Sequence, residues 1–216
     1  MALLAPSILS ADFADLGNDI RKTVEAGADW IHVDVMDGLF VPSISFGMPV
    51  IKSIRKTTDT PFDVHLMINE PIRYIKEFKE AGADILTIHV EACTDTKVTL
   101  DEIKKAGMRP ALSIKPKTPV SEIEEYLPMI DMLLVMSVEP GFGGQKLIPE
   151  TVDKVRELRR IIDEQELGVL IEIDGGINLE NVQDIVAAGT DVIVAGSAVF
   201  GEDVSGKTKA FLELIK

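Results

Sequence analysis

The chain is poor in several features that mark particular classes of protein. It has one cysteine, Cys93, so no internal disulfide can form, which is typical of proteins that work in a reducing cytoplasm. Its 22 lysines and arginines are outnumbered by 36 aspartates and glutamates, and the formal net charge is −14. We therefore expect a cytoplasmic protein that binds neither nucleic acid nor an anionic membrane surface, since both partners require a basic surface.

Long apolar runs are also missing. No stretch approaches the ~20 apolar residues that span a bilayer. The start of the chain, from Met1 to Leu9, is apolar, but it has no basic flank and is soon followed by Asp12 and Asp15. We interpret it as a buried first strand and not as a signal peptide.

A short phrase built around glycine recurs along the chain. It occurs as Ala26–Asp29, Ala81–Asp84 and Ala188–Asp191, with a looser copy at Lys105–Met108. An amphipathic, helix-like stretch precedes each glycine, and an apolar, β-branched run follows it. A helix that ends on glycine and leads directly into a strand is typical of a parallel sheet with crossover helices.

The apolar runs predict eight strands within one domain that covers residues 1–216. The runs are solidly apolar, as expected for a parallel sheet covered on both faces. We therefore predict a (β/α)₈ TIM barrel of the phosphate-binding type, with an open doubly wound sheet as the alternative. The predicted strands lie near Leu3–Leu9, Trp30–Val35, Phe62–Leu66, Ile85–His89, Pro110–Ile114, Met132–Met136, Val169–Ile173 and Val192–Ala195, and the clearest helical patterns are Ala14–Ala26, Ile72–Glu80, Pro149–Gln165 and Leu179–Ala187.

Histidines and aspartates occupy matching positions in three of these strands. Residues two apart in a strand face the same way, so His32 and Asp34 project together, and neighbouring strands can add His65 and Asp174. In a barrel these positions fall at the carboxyl ends of the strands, where active sites lie. Two imidazoles and two carboxylates suit one divalent metal ion, whether zinc, iron, manganese or cobalt. The alternative is that the histidines are hydrogen-bonded core residues and the aspartates cap loops.

Three methionines share the inward face with these residues. Met36, Met67 and Met136 could supply polarizable, aprotic surroundings beside the metal. Methionine is also a common filler of irregular core space, so packing is an equally physical explanation.

Glycine-rich stretches follow the last three predicted strands. Their backbone N–H groups can approach an anion closely, and a short helix that opens at Gly196 would direct its positive end toward the anion. We therefore predict a phosphate site, and no dinucleotide or Walker fingerprint is present. The residues concerned are Gly141, Phe142, Gly143, Gly144, Gly175, Gly176, Gly196 and Ser197.

Other polar residues have more ordinary explanations. Asp37–Gly38 fits a turn. His89 ends the fourth strand beside Glu91, and we expect it to support the site or pack, without binding metal. Lys115 could reach a ligand or extend along the surface.

At these residues the chain closely resembles the ribulose-phosphate 3-epimerases. The resemblance runs in order from the first strand to the eighth and covers essentially the whole chain. The matching stretches are Ala5–Phe13, His32–Gly38, Asp63–Met67, Pro140–Gln145, Asp174–Ile177 and Gly196–Ser197.

The resemblance implies a metal-dependent isomerase of the pentose phosphate pathway, a homo-oligomer that inverts carbon 3 of D-ribulose 5-phosphate to give D-xylulose 5-phosphate. It implies that His32, Asp34, His65 and Asp174 bind the metal, and that Asp34 and Asp174 also exchange protons on opposite faces of carbon 3. Ser7 and His65 would contact the substrate, and the glycine loops would hold its phosphate. Leu39, Ser43 and Lys115 depart from the residues common in the family.

Three other functions fit the same pattern less well. A D-allulose 6-phosphate 3-epimerase would share the scaffold. A phosphosugar lyase or decarboxylase would typically place a lysine among the central acids, and none stands beside His32 or His65. A non-catalytic phosphosugar-binding barrel would be expected to lack one of the two acid/base aspartates, and both are present.

Overall fold

Eight parallel strands form a nearly closed barrel in the computed structural model, which describes residues 1–216. The strands are hydrogen-bonded in the order β1-β8-β7-β6-β5-β4-β3-β2. An isolated parallel bridge between Ser7 and His32 brings β2 back to β1. The strands are β1 Leu3–Pro6, β2 Ile31–Met36, β3 Phe62–Met67, β4 Ile85–His89, β5 Arg109–Ile114, β6 Met132–Met136, β7 Leu170–Asp174 and β8 Val192–Ala195.

Helices connect most of the strands and cover the outside of the barrel. The exception is the β5–β6 connection, which has only the 3₁₀ helices Val120–Glu122 and Glu124–Met129, the second of which contains Pro128. Proline removes a backbone donor and disfavours a regular α-helix. The α-helices are α1 Leu16–Glu25, α2 Met48–Ile54, α3 Ile75–Ala81, α4 Thr96–Lys105, α5 Glu150–Glu164, α6 Val182–Ala187 and α7 Val204–Ile215.

The predicted (β/α)₈ barrel is confirmed, and most predicted boundaries agree within one to three residues. The predicted helix Ile72–Glu80 is in fact two pieces. A 3₁₀ helix, Pro71–Tyr74, precedes α3. No helix of the protein combines the length and apolar character needed to cross a bilayer.

Alternate residues of each strand face two different environments. In β2, Ile31, Val33 and Val35 pack outward into the large core that the helices cover. His32 and Asp34 therefore point into the barrel, and they are 0% and 3% exposed. Near the amino ends of the strands the interior is filled by a small apolar cluster, which consists of Ala5, Trp30, Ile85, Ala111, Met132, Val192 and Val194. The polar interior thus lies on the side of the carboxyl ends.

Candidate active site

The four predicted metal ligands come together inside the barrel. His32, Asp34, His65 and Asp174 each offer a nitrogen or oxygen atom, and these atoms all lie within 4.8 Å of one another. Asp174 is the last residue of β7, as expected. His32 is the second residue of β2, so it lies deeper in the barrel than the strand end at which we expected it.

A buried carboxylate orients His32. The Nδ1 atom of His32 lies 2.5 Å from Asp63 Oδ2, and both side chains are fully buried. The Nε2 atom of His32 is buried and has no hydrogen-bond partner, although Asp34 Oδ1 is 3.3 Å away. Asp63 therefore hydrogen-bonds one ring nitrogen of His32, and the other ring nitrogen faces the candidate metal site.

The charges of neighbouring groups determine the protonation of His32 and Asp34. Burial alone would lower the pKa of His32, but the neighbouring Asp34 and Asp63 carboxylates raise that pKa well above its ordinary value. Burial alone would raise the pKa of Asp34, but His32 and His65 lower it. Without a cation, the neighbouring carboxylates thus favour the protonated form of His32.

His65 lies between Asp34 and a third histidine. Its Nδ1 atom is 3.0 Å from Asp34 Oδ1, and its Nε2 atom is 2.8 Å from the Nε2 atom of His89. The Nδ1 atom of His89 is 3.2 Å from Glu91 Oε2. Burial lowers the pKa of His89 to about 4, so this imidazole is neutral at neutral pH.

The two candidate acid/base groups have different surroundings. Ser7 Oγ donates to Asp34 Oδ2 over 2.5 Å and holds that oxygen in place. Burial, together with the charge of Asp34, raises the pKa of Asp174 to about 6. The environments thus separate the proton affinities of the two carboxyl groups, which is common where one site needs both an acid and a base.

The donor atoms fit a bound divalent cation. A buried, unpartnered imidazole nitrogen of His32 and a ring nitrogen of His65 both face the same carboxylate oxygen of Asp34. Mixed imidazole and carboxylate ligands are typical of zinc, iron, manganese and cobalt sites. The geometry supports a metal ion here without distinguishing among these metals.

A pocket opens directly above the buried cluster. Asp34 and Asp174 line it, whereas His32 and His65 lie behind them and do not. The predicted substrate-binding loops and methionines also meet in this pocket. Its lining includes Ser7, Met36, Met67, Met136, Gly141, Phe142, Gly143, Gly144, Gly175, Gly176, Gly196 and Ser197.

Two glycines after β7 allow close approach between loops. A Cβ on Gly176 would lie 2.3 Å from the backbone nitrogen of Leu147, and a Cβ on Gly175 would lie 2.5 Å from the side chain of Val138. Both glycines also have positive φ angles, of 69° and 122°. Side chains are therefore excluded here by space and by backbone conformation.

The loop after β8 differs from our expectation. No helix opens at Gly196. Val199 and Phe200 donate their N–H groups to the Gly196 carbonyl over 2.9 and 3.0 Å, which forms a single turn. Gly201 then has a φ of 113°, which ends the helical backbone conformation. The prediction that a helix begins here and directs its positive end toward the anion is therefore wrong. This loop can offer an anion only the backbone N–H groups of a single turn.

The methionines form part of the pocket wall and also pack. Met36 and Met67 belong to a small buried cluster with Val41, and Met136 packs with Leu134 and Val138. Both interpretations of these residues are thus compatible with their positions.

The sequence reasoning missed Glu172, which lies beside the cluster. Glu172 is fully buried near His32, and neither of its carboxyl oxygens has a hydrogen-bond partner. Burial and the charge of Asp63 raise the pKa of Glu172 well above its ordinary value, which favours the neutral form of this carboxyl group. The period of two in β7 places Glu172 on the same face as Asp174, and this signal could have identified it.

Two minor expectations have clear outcomes. Asp37 forms the predicted turn, since its Oδ1 atom accepts N–H bonds from Leu39 and Phe40. Lys115 places its Nζ atom 3.9 Å from the centre of the Phe40 ring, at the edge of the site.

Comparison with known sequences identifies close relatives. The profile of the Ribulose-phosphate 3 epimerase family matches residues 3–200. A ribulose-phosphate 3-epimerase of Bacillus subtilis is 48% identical over 215 residues, which cover 99% of this chain and 98% of the relative. A ribulose-phosphate 3-epimerase of Synechocystis is 50% identical over 200 residues, 92% of this chain and 87% of the relative.

Comparison with solved structures supports the fold. The KGPDC of Streptococcus mutans superposes with a TM-score of 0.74 at 14% identity, and covers 100% of this chain and 97% of that one. A tryptophan synthase alpha-subunit from Pyrococcus furiosus has a TM-score of 0.73 at 16% identity, and the match covers 99% of this chain and 96% of that one. At such low identity these structures establish the barrel fold alone.

Proposed function

The chain belongs to the ribulose-phosphate 3-epimerase family, and on that premise we propose that this isomerase interconverts D-ribulose 5-phosphate and D-xylulose 5-phosphate. The observation that carries the proposal is the meeting of Asp34 and Asp174 at the floor of a pocket with glycine-rich walls. That arrangement combines two proton carriers with backbone groups suited to a phosphate.

The proposed chemistry is proton exchange at carbon 3. A proton next to a ketone is weakly acidic, so its removal requires a positioned base and stabilisation of the enediolate charge. Inversion also requires a proton donor on the opposite face. Asp34 and Asp174 lie on β2 and β7, which are separate strands of the barrel, and so they can flank one carbon.

We assign the metal site to His32, Asp34, His65 and Asp174. A divalent cation held there would supply positive charge that stabilises the enediolate. The residues of the chain orient the reaction around that charge. Asp63 holds the ring of His32, and the Ser7 hydroxyl holds the second oxygen of Asp34.

The substrate phosphate is assigned to the loops after β6, β7 and β8. Gly141–Gly144, Gly175–Gly176 and Gly196–Ser197 line one side of the pocket. Ser10 adds a hydroxyl there, since a Cβ on Gly196 would lie 2.8 Å from Ser10 Oγ and a Cβ on Gly143 3.7 Å from it. Backbone N–H groups and this hydroxyl can bind an anion despite the net charge of −14.

The direct test is an epimerisation assay with two phosphosugars side by side. D-ribulose 5-phosphate should give D-xylulose 5-phosphate with a higher kcat/KM than D-allulose 6-phosphate gives its own epimer. The reverse order of kcat/KM would favour the ketohexose phosphate as substrate. No turnover of either sugar by metal-loaded protein would refute the proposed activity.

Metal dependence is tested on the same protein. Removal of metal with a chelator should abolish turnover, and zinc, manganese, cobalt or ferrous iron should restore it, because the donor cluster suits each of them. Full activity in protein shown by elemental analysis to be free of metal would contradict the assigned metal site.

A further inference from the structure

Behind His65 lies a row of hydrogen-bonding groups that the acid/base chemistry does not use. It consists of Glu91, His89 and His65, and we call it the Glu91 triad. The distances are 3.2 Å from Glu91 Oε2 to His89 Nδ1 and 2.8 Å between the Nε2 atoms of His89 and His65. Both histidines are fully buried, so water does not replace these contacts.

The chemistry of the groups fixes the direction of each hydrogen bond. An ionised carboxylate only accepts, and a neutral imidazole has one donor nitrogen and one acceptor nitrogen. Glu91 therefore requires the proton of His89 on Nδ1. His89 Nε2 is then an acceptor, and the proton of His65 must lie on Nε2.

The consequence appears at the other nitrogen of His65. With its proton on Nε2, His65 presents an unprotonated Nδ1 atom 3.0 Å from Asp34 Oδ1 within the candidate metal cluster. An ionised Asp34 is also an acceptor, so either a second proton on His65 or a bound cation must lie between these two atoms. We infer that Glu91, acting through His89, is a positioning residue that fixes the His65 tautomer able to bind metal. The inference rests on the metal site of the proposed function.

Glu91 is itself held firmly enough for this role. Its Oε1 atom accepts from the backbone N–H of Lys115 over 2.8 Å and from the hydroxyl of Thr118. The Phe40 ring covers His89, with ring centres 4.8 Å apart. One carboxylate oxygen thus anchors the loop after β5, and the other faces His89.

The role of Glu91 contrasts with that of Asp63 on the other metal-ligating histidine. Asp63 contacts His32 directly, whereas Glu91 reaches His65 through a second imidazole. Both arrangements leave one ring nitrogen directed at Asp34. A group behind a metal-ligating histidine typically changes metal affinity 10–100-fold when it is removed.

The first test reads the tautomers directly in the zinc-loaded protein, where the cation takes the place of a proton between His65 Nδ1 and Asp34. The chain has only three histidines, so long-range ¹H–¹⁵N correlation spectra at pH 8, above the ordinary imidazole pKa of about 6.5, are readily assigned. We expect the proton on Nε2 of His65 and on Nδ1 of His89. A proton on Nε2 of His89 or on Nδ1 of His65 would overturn the inference, and this readout needs no variant to fold.

The second test measures zinc affinity by competition with a chelator. His89→Phe keeps a ring against Phe40 but removes the acceptor, and Glu91→Gln allows either His89 tautomer, so both should weaken zinc binding by roughly 10–100-fold. Thr118→Val is the matched control, because it removes a Glu91 contact in the loop and leaves the triad intact. It should change affinity by less than about twofold.

The outcomes separate this inference from the proposed function. Unchanged zinc affinity in both triad variants would overturn the inference, as would a loss in Thr118→Val equal to that in Glu91→Gln. If wild-type protein has the expected tautomers and binds zinc but epimerises no sugar, the proposed function fails while the role of Glu91 stands.

Discussion

The two halves of the barrel mouth are built from different parts of the chain. From β1 to β4, the groups that face the pocket floor are side chains within strands, and His32, Asp34 and His65 are at most 3% exposed. From β6 to β8, the pocket wall is mainly loop backbone, and Phe142 at its edge is 59% exposed. Asp174 is the one acid/base candidate from the second half.

We propose that this difference separates the acid/base chemistry from the binding of the substrate phosphate. Strands hold a side chain in one position because both faces are packed, which suits proton transfer and metal binding. Glycine loops present many N–H groups without side chains, which suits an anion. Changes in the first half should therefore affect kcat and metal binding, and changes in the second half should affect KM for a phosphorylated substrate.

The largest effect is expected at the two aspartates. Asp34→Asn and Asp174→Asn keep the side-chain shape but remove a proton carrier, so each should lower kcat by at least ~10². Zinc content must be measured on the same samples, because both residues are candidate ligands. Asp153→Asn, on the exposed face of α5, is the matched control and should leave kcat unchanged. Near-normal kcat in either site variant with metal bound would contradict the assignment.

A smaller effect, on KM, is expected for changes in the β6–β8 half of the barrel mouth. Gly176→Ala places a methyl group against the backbone of Leu147 and should raise KM for D-ribulose 5-phosphate about tenfold or more, the scale of one lost charge-assisted hydrogen bond. Zinc affinity should not change. Gly107→Ala is the matched control, since Gly107 has a similar φ of 74° with nothing within 4 Å of its Cβ position. Loss of zinc binding in Gly176→Ala would contradict the proposal that the two halves of the barrel mouth have separate roles.

A milder change at the same anion site is predicted for Ser10. Ser10→Ala removes one neutral hydroxyl donor, so KM for the phosphosugar should rise only about 2–10-fold, with kcat unchanged. The kinetics of unphosphorylated D-ribulose should not respond to this change. An equal effect on both sugars would place Ser10 near the reacting carbons and not near the phosphate.

In the β1–β4 half of the barrel mouth, the contribution of Glu91 to the unfolding free energy should depend on pH. Burial alone would raise the pKa of Glu91, but its hydrogen bonds to His89 and Thr118 lower it to about 2. A carboxyl whose pKa is lower in the folded state stabilises the fold above its unfolded pKa, near 4.5, and loses that contribution as the pH falls toward 2. The difference in unfolding free energy between wild type and Glu91→Gln, measured in urea, should therefore shrink from pH 6 to pH 3. A difference that is constant over this range would contradict the lowered pKa.

Local patterns predicted the barrel well, because each strand is an apolar run and several helices end on a glycine. The period of two along β2 likewise identified His32 and Asp34 as neighbours on one face. The depth of His32 and its contact with Asp63 could not be predicted, since they depend on the β2–β3 register, which pairs His32 with Asp63. The His65–His89 contact depends in the same way on how β3 and β4 are staggered.

The connections were harder to predict than the strands. The turn after Gly196 has a helix-like sequence, but the left-handed backbone at Gly201 ends it after one turn. Between β5 and β6 the chain forms only 3₁₀ helices, and Pro128 disfavours an α-helix in the second of them. Such outcomes depend on single backbone angles, which an apolar pattern does not specify.

The central claim is that two aspartates exchange different protons at carbon 3, and isotope transfer tests it most directly. Metal-loaded protein is incubated with D-ribulose 5-phosphate in deuterium oxide, and the D-xylulose 5-phosphate formed at early times is examined by mass spectrometry and NMR. Because the carboxyl group that delivers the new proton differs from the one that removed the old proton, each product molecule should carry one solvent deuteron at carbon 3. Complete retention of the original hydrogen would contradict the two-aspartate account and favour a single shuttling base or hydride transfer.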